Sequence, residues 1–275
     1  MYISYLKMGY SQNLECRQMK IKFIGTGTST GVPQLRCDCP ACVSSAPRDK
    51  RFRASALIST SSDHNILIDC GPDFHSQILR EGCPNLDGLL LTHSHYDHVG
   101  GVDDLRPYCN GSDFPIWCQA DVANDLRQRN PWSFGTNLYP GVPTFCIHEI
   151  SPNDTFFINN IKITALRVFH GDLPILGYKF ESPEGHTIAY ITDCKTLPEE
   201  TINQIRNVDL LVINALRFIN PHHAHLTVQE ALEIVKEANP QKTAFTHICH
   251  QMGPHASVSL PENIVLSYDT LEIEV

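Results

Sequence analysis

One short segment joins an apolar run to a dense group of potential metal ligands. The segment LDGLLLTHSHYDHVGG begins as a buried strand would and continues with His93, His95, Asp97 and His98. Because residues two apart at a strand end point to the same side, His93 and His95 are placed to bind one ion. Asp97 and His98 follow where a helix is expected to start near His98, and they can reach a second ion. The chain therefore needs a fold in which a buried strand ends at a polar edge.

The alternative for this segment is a solvated polar loop with ordinary histidines, which is the usual role of a single histidine. Four ligand-type residues within six positions, directly after a buried strand, favour metal binding instead.

The composition is that of a globular protein with a sizeable core. The chain has 275 residues, of which 42% are hydrophobic and 19% charged, and its formal net charge is −9. This acidity argues against a membrane surface or a large nucleic acid as partner, since either requires a basic face. No signal peptide or transmembrane run is visible, so we predict a cytoplasmic protein. The sequence is compatible with a homodimer.

A second methionine, Met19, directly precedes the first convincing strand, KIKFIG. We therefore expect residues 1–18 to be an N-terminal extension and residues 19–275 to form a single domain.

The eleven cysteines are expected to be reduced thiols rather than a disulfide framework. Three of them, Cys37, Cys39 and Cys42, form a C-x-C-x₂-C cluster, a zinc candidate that lacks a fourth ligand. His250 is the expected supplier, and three free loop thiols are the alternative. The other cysteines outside the extension lie mostly beside apolar residues and are predicted to be buried and inert: Cys70, Cys83, Cys109, Cys118, Cys146, Cys194 and Cys249.

The hydrophobic pattern predicts strands in the first part of the chain and an alternation of strands and helices later. Asn159-Asn160 interrupts an alternating apolar run, which is a hairpin signal. Thr227 and Glu230 of TVQE form a capping box that predicts the start of a helix. These elements favour sheets covered by helices.

The segment THSHYDH resembles the HxHxDH signature of the metallo-β-lactamase superfamily. The resemblance covers roughly residue 20 to the C-terminus, and later motifs follow in the family's order. It implies an α/β fold of the αββα type, a four-layer sandwich with two sheets between helices. It also implies two catalytic divalent metals, zinc or manganese, at one edge of the sandwich.

The resemblance also implies the ligands of these metals. The first metal would take His93, His95 and His170, the last from VFHGD. The second metal would take Asp97, His98 and His247, the last from FTHICH, and Asp193 of AYITDC would bridge the two. Asp69 of ILIDCGPDF resembles the upstream Asp-x-Gly motif and would orient the ligands, a helix-entry or turn residue being the alternative.

Three further features resemble one subgroup, the PhnP-like phosphodiesterases, which hydrolyse phosphoribosyl 1,2-cyclic phosphate. The segment GTGTSTGVP resembles the opening strand and loop of the subgroup. The cysteine spacing, with His250 three positions after His247, implies one structural zinc held by Cys37, Cys39, Cys42 and His250. The HLT step before the capped helix implies that His225 is the general acid, with a near-neutral pKa suited to the task. A solvent-exposed histidine at a helix start is the alternative.

The predicted function is hydrolysis of a small phosphodiester, cyclic ones included, by a hydroxide shared between two metals, with His225 as general acid. The alternatives are a tRNA 3′-processing endonuclease, a thioester or lactone hydrolase, and a non-catalytic metal-binding member of the family. Arg106 could bind phosphate, although a salt bridge with Asp103 or Asp104 is favoured. The sequence leaves open the roles of Trp132, Tyr139, His222 and His223.

Overall fold

The computed structural model describes residues 19–61, 64–109, 111–135 and 140–275. The expected extension over residues 1–18 and the pocket candidate Tyr139 lie outside the described residues. No helix within the described ranges is both long and apolar enough to cross a bilayer.

Fourteen strands form in the described part of the chain, seven in each of two sheets. The strands of the first sheet are β1 (Lys20–Gly25), β2 (Ser55–Ser61), β3 (His64–Ile68), β4 (Gly88–Leu90), β5 (Phe114–Cys118), β6 (Phe145–Glu149) and β14 (Glu272–Glu274). The strands of the second sheet are β7 (Thr155–Ile158), β8 (Ile161–His170), β9 (Leu173–Glu181), β10 (Thr187–Ile191), β11 (Leu210–Asn214), β12 (Lys242–Thr246) and β13 (Ile264–Leu266).

The helices are short and lie between these strands. The α-helices are α1 (Pro40–Val43), α2 (Phe74–Arg80), α3 (Tyr96–Val99), α4 (Ala120–Arg129), α5 (Glu199–Gln204) and α6 (Val228–Ala238). Five 3₁₀ turns in the described ranges complete the connections: Pro47–Asp49, Val102–Tyr108, Pro131–Ser133, His250–Met252 and His255–Ser257.

The strand order explains why polar residues gather at one edge. The first sheet runs β14-β1-β2-β3-β4-β5-β6 and the second runs β13-β12-β11-β10-β9-β8-β7. Neighbouring strands are parallel from β3 to β6 and from β10 to β13. Because the carboxyl ends of parallel strands meet at one edge of a sheet, the loops after β3, β4, β10, β11 and β12 are where a site is expected.

Three apolar clusters define four layers. The first lies between the sheets and contains Phe23, Ile58, Tyr178 and Tyr190. The second packs α5 and α6 against the outer face of the second sheet, and the third packs α2 and α4 against the outer face of the first. Full burial of one large apolar side chain contributes about 1.5–3 kcal/mol, so these layers supply the main favourable term. The expected αββα arrangement is confirmed.

Local signals in the sequence agree with the structure. Asn159 has a φ of 53° in the turn of a hairpin in which Ile158 pairs with Ile161. Thr227 caps α6, and both hydrogen bonds of the capping box with Glu230 are present.

The metal-ligand segment differs from expectation in two details. Strand β4 ends at Leu90 rather than Thr92, because the Thr92 N–H donates to Asp69 Oδ1 at 2.9 Å instead of to a neighbouring strand. The following helix begins at Tyr96 rather than near His98, since His95 is extended and forms its N-terminal boundary. Asp97 and His98 therefore lie inside a single helical turn.

Candidate metal centre

The seven side chains predicted to bind catalytic metals lie in two adjacent groups. His93, His95 and His170 form one, and Asp97, His98, Asp193 and His247 form the other. Within each group, one ligand atom per residue lies within 4.8 Å of the others. Asp193 also groups with His170 and His225, so its carboxylate lies between the two sets.

In the first group, ring nitrogens face one another. His93 Nε2 lies 3.0 Å from His95 Nδ1, and the ring of His170 is 5.2 Å from that of His95. Burial and the proximity of His98 lower the pKa of His93. Burial and His170 likewise lower the pKa of His95. Both rings are therefore held neutral, which is the form that ligates a metal.

In the second group, carboxylates converge on buried imidazoles. His98 Nε2 lies 3.2 Å from Asp97 Oδ2 and 3.2 Å from Asp193 Oδ2, and His247 Nε2 lies 3.2 Å from Asp193 Oδ1. Burial alone would raise the pKa of Asp97 and Asp193, but the surrounding histidines lower both below their ordinary range. Two ionised carboxylates in a buried site require a compensating positive charge.

The unpaired atoms of this group show that a cation fits it. Burial alone would lower the pKa of His98, but Asp193, Asp97 and Asp69 raise it well above its ordinary value. Among the protein groups alone, the protonated ring of His98 thus supplies the positive charge that balances Asp97 and Asp193. Nε2 of His98 and both ring nitrogens of His247 are buried without a hydrogen-bond partner in the described part of the chain. A divalent ion would satisfy Nε2 of both rings and replace the imidazolium charge.

Asp69 holds the second group from behind. Its fully buried carboxylate accepts hydrogen bonds from Thr92 N, from Thr92 Oγ1 and from His98 Nδ1, the last at 2.7 Å. With Nδ1 engaged in this way, Nε2 of His98 is directed at Asp97 and Asp193. Buried carboxylates that orient a ligating histidine raise its basicity and fix its tautomer.

The backbone at the ends of three strands adopts a left-handed conformation. Asp69 follows β3 with a φ of 57°, Asp193 follows β10 with 52°, and His247 follows β12 with 54°. This region is uncommon for residues other than glycine and costs of order 1–3 kcal/mol at each position. Asp193 and His247 belong to the second ligand group and Asp69 contacts His98 of that group, so all three side chains lie at the site. No local signal in the sequence indicated this backbone conformation.

Two loops at the site pack backbone against backbone. A Cβ placed on Gly71 would lie 2.1 Å from the carbonyl oxygen of Asp97, and one on Gly101 would lie 2.1 Å from that of Gly71. Only glycine permits this approach, so these residues fix the position of the turn that carries Asp97 and His98.

His170 and His225 face each other across the site. His170 Nδ1 donates to the carbonyl oxygen of Ala224 at 2.8 Å, which leaves Nε2 for the first group. The rings of His170 and His225 are 4.6 Å apart, and His225 Nδ1 lies 3.8 Å from Asp193 Oδ1. Burial, followed by the proximity of His247, lowers the pKa of His225 to about 2. This direction is opposite to the near-neutral pKa expected from the sequence, because burial, and after it the neighbouring imidazoles, disfavours the charged ring.

The segment that carries His225 is attached at both ends. Leu226 N donates to Cys194 O at 3.0 Å, next to Asp193. Thr227 caps α6 with Glu230, whose carboxylate also accepts a hydrogen bond from Lys195 Nζ at 2.6 Å. The general-acid candidate is thereby held against the strand end that carries Asp193.

The four residues predicted to bind a structural zinc also lie together. The ligand atoms of Cys37, Cys39, Cys42 and His250 lie within 4.8 Å of one another. His250 Nδ1 is 3.2 Å from Cys37 Sγ and 3.3 Å from Cys39 Sγ. Burial alone would raise the pKa of Cys39, but the hydrogen bond with His250 helps to lower it to about 6. This geometry suits the thiolate ligands of a closed zinc site.

The other predicted candidates have ordinary surroundings. Arg106 Nη2 donates to Asp103 Oδ2 at 3.0 Å, and Trp132 Nε1 donates to Asp103 Oδ1 at 2.8 Å. The prediction of buried, inert thiols is wrong for Cys83 and Cys146, which are exposed. Cys146 lies on the edge strand β6 with its side chain outward, where apolar neighbours in sequence do not cover it.

The sequence did not reveal a polar cavity beside the site. It has a volume of about 410 Å³ and is bordered by the loop Thr28–Thr30, by Arg217 after β11, and by His222 and His225. Gln34, Leu216, Cys249, His250 and Gln251 complete its lining. The only signal for Arg217 was its position after the buried strand VDLLVINA.

Comparisons with known proteins agree with this geometry. Residues 64–248 match the family described as a beta-lactamase superfamily domain. Over 256 residues, the chain is 38% identical to an octanoyltransferase of Porphyromonas gingivalis, covering 92% of this chain and 51% of that protein. The chain therefore spans about half the length of that relative.

Two solved structures extend the comparison. A diphosphatase of the PhnP family superposes with a TM-score of 0.84 at 31% identity, covering 94% of this chain and 97% of that one. The short form of human tRNase Z superposes with a TM-score of 0.69 at 18% identity, covering 92% and 98%, and shows the shared fold alone. The chain belongs to the metallo-β-lactamase superfamily of hydrolases, in which it groups with the PhnP family.

Proposed function

We propose that this hydrolase is a phosphodiesterase that uses two divalent metals to cleave small phosphodiesters, cyclic ones among them. The single observation that carries the proposal is the pair of ligand groups on either side of Asp193, with His225 Nδ1 3.8 Å from the same carboxylate. A buried acid–base candidate next to two cation sites suits hydrolysis of an anionic ester.

The proposed ligands divide between three metals. His93, His95 and His170 would hold the first catalytic ion, Asp97, His98 and His247 would hold the second, and Asp193 would bridge them. Cys37, Cys39, Cys42 and His250 would hold a structural zinc. When bound, the catalytic pair neutralises phosphate oxygens and supplies a nucleophile at neutral pH. Imidazole and carboxylate ligands suit zinc or manganese, whereas thiolates favour zinc.

His225 would serve as the general acid. In the protein alone its pKa is low, because burial and His247 disfavour the imidazolium. An anionic phosphodiester placed against the ring favours the protonated form, since an opposite charge raises the pKa of a histidine. His225 can then donate its proton to the departing alkoxide, a contribution of about 10²–10⁴-fold.

A second candidate function is thioester or ester hydrolysis, favoured by the relative named octanoyltransferase. This chain matches about half of that longer protein, so the name does not settle the reaction of this half. The cavity beside His225 is lined by hydroxyl, amide, imidazole and guanidinium groups, by the thiol of Cys249 and by one aliphatic residue, Leu216. Such walls suit a polar leaving group better than an eight-carbon chain, which requires apolar surface. The net charge of −9 likewise favours a small substrate over a large nucleic acid.

The first test combines metal analysis with a substrate panel. Purified protein loaded with zinc or manganese is assayed with bis-p-nitrophenyl phosphate, a nucleoside 2′,3′-cyclic phosphate, an octanoyl thioester and a precursor tRNA. We expect turnover of the small phosphodiesters alone. Turnover of the thioester combined with no cleavage of any phosphodiester would refute the proposal in favour of the second candidate.

The role of His225 is tested by leaving-group dependence. We expect His225→Ala to keep both catalytic metals and to slow aryl phosphodiesters progressively more as the leaving phenol becomes more basic. His223→Ala is the matched control, because His223 is exposed and lies outside the ligand groups. An equal loss for every leaving group would show that His225 is not the acid.

A further inference from the structure

Strand β6 is the last strand of the first sheet among the residues that the structure describes. It pairs with β5 in parallel, and Phe114 N donates to Thr144 O at 2.9 Å at the start of this ladder. In a parallel ladder, alternate residues direct both backbone groups to the same neighbouring strand. The even-numbered residues of β6 therefore bond to β5, and the N–H and C=O groups of Phe145, Ile147 and Glu149 point to the outer edge of the sheet.

The two even-numbered residues of this strand carry a thiol and an imidazole. Cys146 and His148 are both exposed, and they share one face of the strand because they are two positions apart. Cys146 Sγ lies 3.6 Å from His148 Nε2, and the ring of His148 stacks on that of Trp117 with 4.6 Å between centroids. Zinc bonds of about 2.3 Å to sulfur and about 2.0–2.1 Å to nitrogen, at a tetrahedral angle, place two such atoms about 3.5–3.6 Å apart. The pair therefore has the spacing of one half of a tetrahedral zinc site.

A second copy of the chain supplies the other half. When two β6 strands pair antiparallel about a two-fold axis through Ile147, each Ile147 exchanges both outward backbone hydrogen bonds with its counterpart, and Phe145 does the same with the partner's Glu149. Cys146 then lies directly opposite the partner's His148. These two residues form a non-hydrogen-bonded pair, in which the Cα atoms are about 4.5 Å apart and the side chains project from the same face. The symmetry thus brings two thiols and two imidazoles together, which is a Cys₂His₂ ligand set.

We propose that β6 is a zinc-dependent homodimer interface in which Cys146 and His148 of two chains bind one zinc ion. A two-fold interface places the same patch of both chains face to face, so an identical chain provides the two missing ligands. The same pairing covers the backbone groups of an exposed edge strand. In a separate chain the pair supplies only two of four ligands and does not retain zinc, so Cys146→Ala leaves the zinc content of the dilute protein unchanged. The interface is independent of the catalytic metal groups, because β6 contributes no residue to them.

A zinc titration followed by molar mass tests the interface. The purified chain, with its other metal sites filled and unbound metal removed, is analysed by light scattering during size-exclusion chromatography as zinc is added. We expect the molar mass to double, with the transition complete at about half an equivalent of added zinc per chain, as one ion shared by two chains requires. Manganese at the same concentrations should leave the mass unchanged, because thiolate ligands favour zinc. A constant mass throughout the zinc titration would overturn the proposal.

Ligand variants show whether the zinc is bound at β6. Cys146→Ala and His148→Ala should each lose both the doubling of mass and the additional half equivalent of zinc. Cys83→Ala is the matched control, since it removes an exposed thiol that follows α2, and it should behave as the unmodified protein does. Zinc-dependent doubling that persists in Cys146→Ala would place the interface elsewhere and contradict the proposal.

A backbone variant tests the pairing of the strands without changing a ligand. Ile147→Pro removes the central N–H at the outer edge, and proline is tolerated on an edge strand where the N–H does not bond within the sheet. We expect this variant to remain monomeric over the zinc titration, whereas Ile147→Val, which keeps the N–H, should double in mass. Circular dichroism checks that both variants are folded, and the ligand variants decide the question if the proline variant is not. Equal doubling in folded Ile147→Pro and Ile147→Val would exclude pairing through β6.

Discussion

At the scale of single residues, the site depends on side chains that do not touch the proposed metals. Asp69 is fully buried and accepts hydrogen bonds from Thr92 and His98. Burial raises its pKa, while the contacts with His98 and Thr92 act in the opposite direction. The carboxylate thus fixes the tautomer of His98 and keeps Nε2 directed at the second group.

Replacing Asp69 therefore tests ligand orientation. We expect Asp69→Asn to reduce the affinity for the second catalytic metal by about 10- to 100-fold, the usual effect of losing a group that orients a ligating histidine. Competition with a chromogenic chelator measures this affinity. Asp121→Asn, which changes an exposed residue of α4, should leave it unaltered. Equal metal affinities in the two variants would show that Asp69 only stabilises the turn after β3.

Single residues also show where sequence reasoning reaches its limit. The HxHxDH segment is local, so its ligand character is visible in six consecutive positions. The left-handed backbone of Asp193 and His247 and the low pKa of His225 depend on neighbours from distant segments. Arg217 was missed for the same reason, since its partner Gln251 is 34 positions away and the opposite loop lies near residue 28.

At the scale of elements, helix α6 positions the loop that carries His225. Thr227 accepts from Glu230 N, while Glu230 accepts from Thr227 N and from Lys195 Nζ. The TVQE pattern predicted this cap because a capping box is formed within four residues. Lys195 could not be predicted as its partner, since the contact joins segments 35 positions apart.

Loss of the cap should lower stability and loosen His225. We expect Thr227→Ala to cost about 1 kcal/mol, seen as a fall in Tm of about 2–4 °C, and Thr227→Ser to restore most of it. Thermal unfolding followed by circular dichroism measures the difference. An alanine variant as stable as the serine variant would show that the cap is dispensable.

The same cap gives a pH dependence. Partial burial would raise the pKa of Glu230, but its hydrogen bonds with Lys195 and Thr227 lower it below the ordinary value of 4.5. Its stabilisation is therefore complete above about pH 4.5 and is lost as the pH falls through the folded-state pKa. The stability difference between the unmodified protein and Glu230→Gln should narrow between pH 5 and pH 3. A difference that stays constant over this range would contradict the assignment.

At the scale of the whole molecule, early segments of the chain pair with late segments beside the site. Strand β1 pairs with β14, and Ile248 exchanges backbone hydrogen bonds with the segment Thr26–Thr28. The cysteine cluster adds a third link, because it places Cys37, Cys39 and Cys42 against His250, more than 200 positions later. Cysteine spacing and the family resemblance allowed this cluster to be predicted. The resemblance also gave the layer arrangement, whereas the order of the strands was not predicted, because long-range pairing leaves no local pattern.

Loss of the structural zinc should therefore act on the whole fold. We expect Cys39→Ala to remove about one equivalent of zinc and to lower Tm, since a closed zinc site contributes directly to folding. Elemental analysis and thermal unfolding measure the two effects. Cys146→Ala, an exposed thiol on an edge strand, is the control and should change neither. If Cys39→Ala bound as much zinc as the unmodified protein, the proposal of a structural zinc site would be refuted.

The central claim is that two cations lie side by side at the edge of the sandwich. Anomalous diffraction from crystals grown with zinc or manganese tests it most directly. The data are collected at X-ray energies above and below the absorption edge of the metal. We predict two peaks about 3.5–4 Å apart, one among His93, His95 and His170 and one among Asp97, His98 and His247, with Asp193 between them. No anomalous density at either group, with the same side chains hydrogen-bonded to one another, would contradict the account.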